Sequence, residues 1–177
     1  MDADDWVEAE DPEEYGEEPW DFDEAERAFL TALRARAARW RVPWAPSQAG
    51  RPEDGGSLLV HVALVDEARG LILGEWAAHF HGAHVRAGKV LDHLFSLHEP
   101  PDPASFEAEG PPEALAERCA DWFEALLSRP VVRVTWPLTG GGGGQATRWE
   151  FADTGEPLAS QGSVPAAVPG HRVRLRP

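Results

Sequence analysis

The spacing of apolar residues along this chain changes several times between helical and alternating, and the changes mark out its elements. Asp23 with Glu26 three residues on is a capping-box pattern. Phe29, Leu33, Ala37 and Trp40 then recur at helical spacing, while Arg27, Arg34, Arg36, Arg39 and Arg41 lie mainly elsewhere around the cylinder. Pro43 ends this helix, and residues 43–56, rich in Pro and Gly, read as a connector. From Leu58 the period drops to two. Leu58, Val60, Val62 and Leu64 make one apolar face, and Asp66 to Gly70 supplies turn chemistry. On the return strand Ile72, Trp76, Ala78 and Phe80 lie on one side, and Leu71, Leu73, Glu75, Ala77, His79 and His81 on the other. A turn centred on Ala68 sets Val60 opposite Trp76, Leu64 opposite Ile72 and His61 opposite Glu75, which matches the apolar faces.

Arg86 to Lys89 is expected to turn into a third strand around Val90 to Leu97. Residues 99–112 form a second Pro-rich connector, and Pro111 and Pro112 suit the first turn of a helix. Leu115, Cys119, Trp122 and Leu126 follow as a helical stripe, widened by Phe123 and Leu127 and stopped by Pro130. Val131 to Trp136 alternates, the glycines Gly140 to Gly144 separate it from Thr147 to Phe151, and His171 to Leu175 is a last extended stretch. This order predicts an α+β domain: an antiparallel sheet of about five to six strands covered on one face by two helices.

Charge changes the picture at the leading end. The first 26 residues hold 14 carboxylates and no Lys or Arg, which leaves 17 acidic against 16 basic residues in the remainder of a chain of net charge −15. Residues 1–22 therefore read as an acidic arm too highly charged to compact alone, and residues 23–177 as a single domain. Trp6, Tyr15, Trp20 and Phe22 on the arm, and Trp44 in the connector, are candidate anchors for a partner. Net acidity disfavours nucleic acid, whose affinity rests on phosphate neutralisation, and favours a basic protein partner in a salt-dependent way. A second option for the arm is to fold back over the arginines of the first helix. The leading segment lacks the apolar core of a secretory signal, and no apolar run approaches the roughly 20 residues that span a bilayer. Cys119 is the only cysteine, so no disulfide framework forms within the chain, and a cytoplasmic location is expected. Fifteen of the 16 basic residues are Arg and Asn is absent, a bias that reflects coding composition more than chemistry. The pattern does not specify an oligomeric state.

Candidate chemistry centres on histidine. His79 and His81 lie on one strand face roughly 7 Å apart, close enough to share a metal, with His93 on the next strand as a third ligand. Asp92, His84 and His98 are other sources for that third position. Glu75 lies roughly 13 Å along the strand from His79, so it belongs to no such cluster. His61 opposite Glu75 is instead an acid–base pair in which the carboxylate orients the imidazole. Against both stands the plainer reading of a polar strand face. Cys119 falls within an apolar stripe, where burial makes a thiol unreactive. Gly140 to Gly144 lacks the Lys and hydroxyl of a phosphate loop and sits between strands. The Asp153-Thr154-Gly155 triplet resembles that of aspartic proteases, but here a second triplet and the fold are missing. No motif calls for a cofactor. The leading expectation is a non-enzymatic acidic interaction protein, an adaptor, regulator or inhibitor of a basic partner. An immunity protein against a basic toxin is one version. The alternative is a small metal-dependent or acid–base enzyme using the histidine-bearing sheet face.

Overall fold

The structure, a computed structural model, describes residues 6–9, 21–43, 45–51, 56–97, 104–137, 144–163 and 170–176. Helix α1 spans Glu24–Ala37 and opens on the capping box read from the sequence: the Glu26 amide donates to Asp23 Oδ1 at 2.8 Å, and the Asp23 amide donates to Glu26 Oε2 at 2.9 Å. Its buried stripe is Phe29, Leu30, Leu33 and Ala37. Helix α2, Pro112–Leu127, buries Leu115, Ala116, Cys119, Ala120, Phe123, Leu126 and Leu127. The two helices pack together, and Arg36 of α1 reaches Asp121 at 2.7 Å and Glu124 at 2.5 Å on α2.

Among the described residues ten strands fall into two sheets. Strands β1 (Glu8–Ala9), β2 (Ser47–Gly50), β3 (Leu58–Asp66), β4 (Leu71–Phe80), β5 (His84–Lys89) and β6 (Phe106–Glu109) form a six-stranded sheet in that order. Only the β1–β2 pairing in it is parallel. Strands β7 (Val131–Pro137), β8 (Gln145–Phe151), β9 (Pro157–Gln161) and β10 (His171–Arg174) form a four-stranded antiparallel sheet in the order β10-β7-β8-β9. The α+β class and the helix-covered antiparallel sheet are as the pattern predicts, and the later strands make a sheet of their own. One core unites them: Phe29 stacks on Phe80 with ring centroids 4.4 Å apart, and Val131, Trp149 and Phe151 join the same cluster. The second sheet is fastened at Asp66, at the end of β3, which accepts from Trp149 Nε1 at 2.8 Å and lies 3.3 Å from Arg133 Nη1.

The β3–β4 register differs from the expected one. Val60 pairs with Ala78, Val62 with Trp76, Ala63 with Glu75 and His61 with Ala77, so His61 does not face Glu75. The slip is by two residues, which leaves every side chain on its expected face and is therefore invisible to the alternation. Past Leu64 and Gly74 the ladder resumes at Val65 and Ile72, leaving Leu73 as the extra residue of a β-bulge. The bulge reverses the faces there: Leu73 is buried at 3% exposure, while Ile72, expected in the core, is 54% exposed. Gly74 makes room for the adjoining ring, since a Cβ at that position would come within 2.8 Å of the Trp76 indole. The turn expected over Asp66 to Gly70 is present as a 3-10 turn over Glu67–Arg69, closed by left-handed Gly70 (φ 58°), with Asp66 paired to Leu71 beside it.

The third strand starts earlier than expected. Gly82 (φ 74°) turns the chain directly after β4, so the segment read as a turn, Arg86 to Lys89, is strand β5. Only an isolated Val90–Leu97 bridge remains of the strand expected there, and residues 91–97 return across the outer face of the sheet. The segment 1–22, expected to stand free of the body, is tied to it at residues 6–9. Val7 is fully buried in the core, its amide donates to Ser47 Oγ at 2.9 Å, and its carbonyl accepts from Arg34 Nε at 2.9 Å.

Candidate functional site

On the outer face of β4, β5 and β6 the register aligns His79 with Arg86, Arg86 with Glu107, and His84 with Glu109. Residues paired across a ladder share a face, so these polar side chains form one surface. With His81, just past β4, and with Ser57 and Ser96, the His79, His84, Arg86 and Glu107 side chains line a groove of about 530 Å³. Two imidazoles are held by hydrogen bonds. His79 Nε2 lies 2.9 Å from the Phe95 carbonyl oxygen and must carry the proton there, and His84 Nε2 lies 3.0 Å from Glu107 Oε1. The His81 and His84 rings stack with centroids 6.3 Å apart. Burial, and then the neighbouring His79 and His84, hold the His81 imidazole below its ordinary pKa.

His79 and His81 thus do share a surface, as their spacing suggests. His93 does not join them; it sits exposed on the turn that follows Asp92, because the expected third strand is a loop at that point. His84 takes its place, brought round by the Gly82 turn. Among the described residues no group of three or more His, Cys, Asp or Glu is arranged to hold a metal ion. The expected His61–Glu75 pair is not formed, because the register sets each opposite an alanine. His61 Nε2 instead lies 3.1 Å from Gln48 Oε1, its ring stands edge-on to Phe95 at 4.9 Å, and its buried Nδ1 has no hydrogen-bond partner among the described residues. Burial lowers the His61 pKa to about 4, which keeps the ring neutral. Phe95, which sequence reasoning missed, adopts φ 57° to present its carbonyl to His79 and its ring to His61. An aromatic residue gives no sequence signal for a left-handed conformation.

The other candidates have structural explanations. Cys119 is buried in the core and its thiol pKa is raised by that burial. Asp153 is paired with Arg129, Oδ2 to Nε at 3.0 Å and Oδ1 to Nη2 at 3.1 Å, which holds its carboxyl below the usual range and staples the end of α2 to the β8–β9 turn. Of the partner anchors, Trp6 packs edge-on against Trp40 at 4.8 Å, and Phe22 lies under the Arg51 guanidinium at 5.6 Å. Both are committed within the chain. Tyr15, Trp20, Trp44 and His98 lie outside the described residues. The fold-back option is realised in part, since Arg34 of α1 holds the Val7 carbonyl.

No protein-family model matches this chain, and no curated protein or solved structure shows significant similarity to it.

Proposed function

We propose that this chain is a non-enzymatic interaction protein that meets a basic protein partner through the carboxylates of its leading segment, as an adaptor, regulator or inhibitor. One observation carries the reading. Val7 is locked into the core and Asp23 into the cap of α1, and in the sequence Glu10, Asp11, Glu13, Glu14, Glu17 and Glu18 lie between these two anchored residues. A chain anchored at two points has less conformational freedom to lose on binding than a free tail. Exposed Asp21, Asp23 and Glu24 continue the acidic run to the start of the helix.

On this reading the protein works in the cytoplasm, without nucleic acid and without a membrane contact. No helix among the described residues is long and apolar enough to cross a bilayer. The competing enzyme reading has less support. The acid–base pair it relied on is not formed, and the two imidazole hydrogen bonds in the groove go to a carbonyl and a carboxylate, neither to a nucleophile. The test is capture from native lysate at low and high salt, using the whole chain and a variant with those six carboxylates changed to amides. A set of basic proteins retained at low salt and lost with the variant supports the proposal; an identical set on both baits refutes it.

A further inference from the structure

We infer that a small pocket between the end of β5, helix α2 and the β8–β9 turn binds an aromatic monocarboxylate of benzoate size, with Lys89 receiving the carboxylate. The pocket has a volume of about 180 Å³ and lies on the helix-covered face of the first sheet, the face opposite the histidine-lined groove. Lys89 is the chain's single lysine. On β5 it continues the inward row of Val85 and Ala87, both fully buried, and it pairs in register with Trp76, which is 5% exposed. A lysine in such a row is an informative exception, since apolar side chains normally fill it. Among the described residues its ammonium makes no hydrogen bond and no ion pair.

The space arises where the sheet stops. The β5–β6 ladder ends at Ala87 and Phe106, so Gly88 and Lys89 run past it, with Ser105 beside Gly88. Helix α2 covers the opening with Trp122 and Leu126. The Trp122 indole is fixed in place: its Nε1 donates to the Ala104 carbonyl at 3.1 Å, and its ring stacks on Phe106 with centroids 6.3 Å apart. Trp76, Trp122 and Leu126 therefore supply flat apolar walls, and Lys89 supplies the polar group that orients a ligand. A dry apolar cavity of about 150 Å³ takes up benzene, so the volume here suits one ring carrying a carboxylate.

The local charges favour an anion on an otherwise acidic chain. Among the described residues the charged groups around the pocket are Lys89, Arg118 and Arg129 against Asp153 and Glu156. Both carboxylates are engaged by Arg129, Asp153 at 3.0 Å and Glu156 at 3.5 Å. Arg118, one turn before Trp122 on α2, lies over the Phe106 ring at 5.5 Å. Asp121 and Glu124 of α2 turn instead to Arg36 of α1, and Glu75 alternates to the outer face of β4. Lys89 is left as the charge without a counter-charge, ready to donate a charge-assisted hydrogen bond to a carboxylate.

The experiment is NMR titration of the full chain with benzoate and, separately, with benzyl alcohol, which keeps the ring without the charge, and acetate, which keeps the charge without the ring. Benzoate should reach half-saturation at about 1 mM or below and shift the Trp122 indole N–H, with either control at least about tenfold weaker. Lys89→Met, which keeps an apolar stem, should weaken benzoate about tenfold or more and leave benzyl alcohol unchanged. Ala125→Met, at an exposed helical position lining the pocket, should weaken both aromatic probes by narrowing the space, with thermal unfolding like that of the natural chain. Equal response to benzoate and either control overturns the inference, as does benzoate binding indifferent to either substitution in a folded protein. So does benzoate at millimolar concentration that leaves the Trp76 and Trp122 indole signals unmoved.

Discussion

The two ends of the β3–β4 hairpin use polar side chains in opposite ways. At the turn end, Asp66 is 4% exposed, and its Oδ2 receives the Trp149 indole N–H and lies against Arg133. At the open end, His79, His81 and His84 ring an accessible groove with Arg86. Nearby in the second sheet, Glu150 is 2% exposed and lies between Arg148, at 2.6 Å, and Arg172. The contrast separates buried polar groups from polar groups that border an open groove. A buried carboxylate is tolerated where donors meet it, and there it fixes how one sheet sits on the other. The imidazoles at the open groove hold their neighbours by single hydrogen bonds, His79 to the Phe95 carbonyl and His84 to Glu107, and stay within reach of solvent.

The largest effect should come from the turn end. Asp66→Ala leaves the Trp149 N–H and the Arg133 guanidinium facing a buried gap, and should cost about 3 kcal/mol in urea unfolding. Asp66→Asn keeps an acceptor for Trp149 but no charge for Arg133, and should cost about 1–2 kcal/mol. A loss under about 0.5 kcal/mol for the alanine variant, the usual scatter of surface substitutions, would break the comparison, because Asp66 would then not be holding the sheets together.

His61 lies between the two ends and sharpens the contrast by pH. Its folded pKa of about 4 lies below the ordinary value of 6.5, so the unfolded chain binds more protons at this site. Stability from this group is therefore complete above about pH 6.5 and is lost as pH falls toward 4. Between pH 7.5 and 4.5 the loss should be about 2–3 kcal/mol, since a tenfold difference in proton affinity between folded and unfolded chain is worth about 1.4 kcal/mol. The cause is physical: a charged ring beside Phe95 with Nδ1 unmatched is poorly solvated. Urea midpoints at the two pH values, compared between the natural chain and His61→Gln, isolate its contribution. Equal pH dependence in both proteins would show that His61 is open to water like the groove histidines.

Much of this was legible in the chain. The capping box, the Pro43 and Pro130 stops and the 3.6-residue stripes gave both helices, because those signals are local. Alternation gave β3, β4, β7 and β8 and their inner faces. It did not give the register, since a two-residue slip leaves face and pattern unchanged. Strands β2 and β6 were hidden in Pro- and Gly-rich connectors, too short to alternate. At the groove, His79 and His81 were found by spacing, but His84 depends on a glycine turn and Phe95 on a left-handed backbone. The arm misled for a different reason. Trp6 and Phe22 look like anchors for another protein, yet the chain's own core is always present at high effective concentration and engages them first.

The smallest predicted effect tests the bulge, the feature that lets the turn end and the open end coexist on one strand. Alternation alone places Ile72 in the core and Leu73 in solvent, and the bulge exchanges them. Leu73→Ala should therefore cost about 2 kcal/mol or more, as a buried leucine does. Ile72→Thr, which keeps the β-branched shape that suits a strand, should stay within about 0.5 kcal/mol of the natural chain. The ordering of the two carries the argument, because both substitutions lie on one strand at adjacent positions and face opposite sides of the sheet. If Ile72→Thr proved the more damaging, β4 would run without its bulge and the outward face would shift by one residue beyond Gly74. Leu73 would then share a face with Glu75 and His79, and Asp66 would no longer meet Trp149 through the ladder that now positions it.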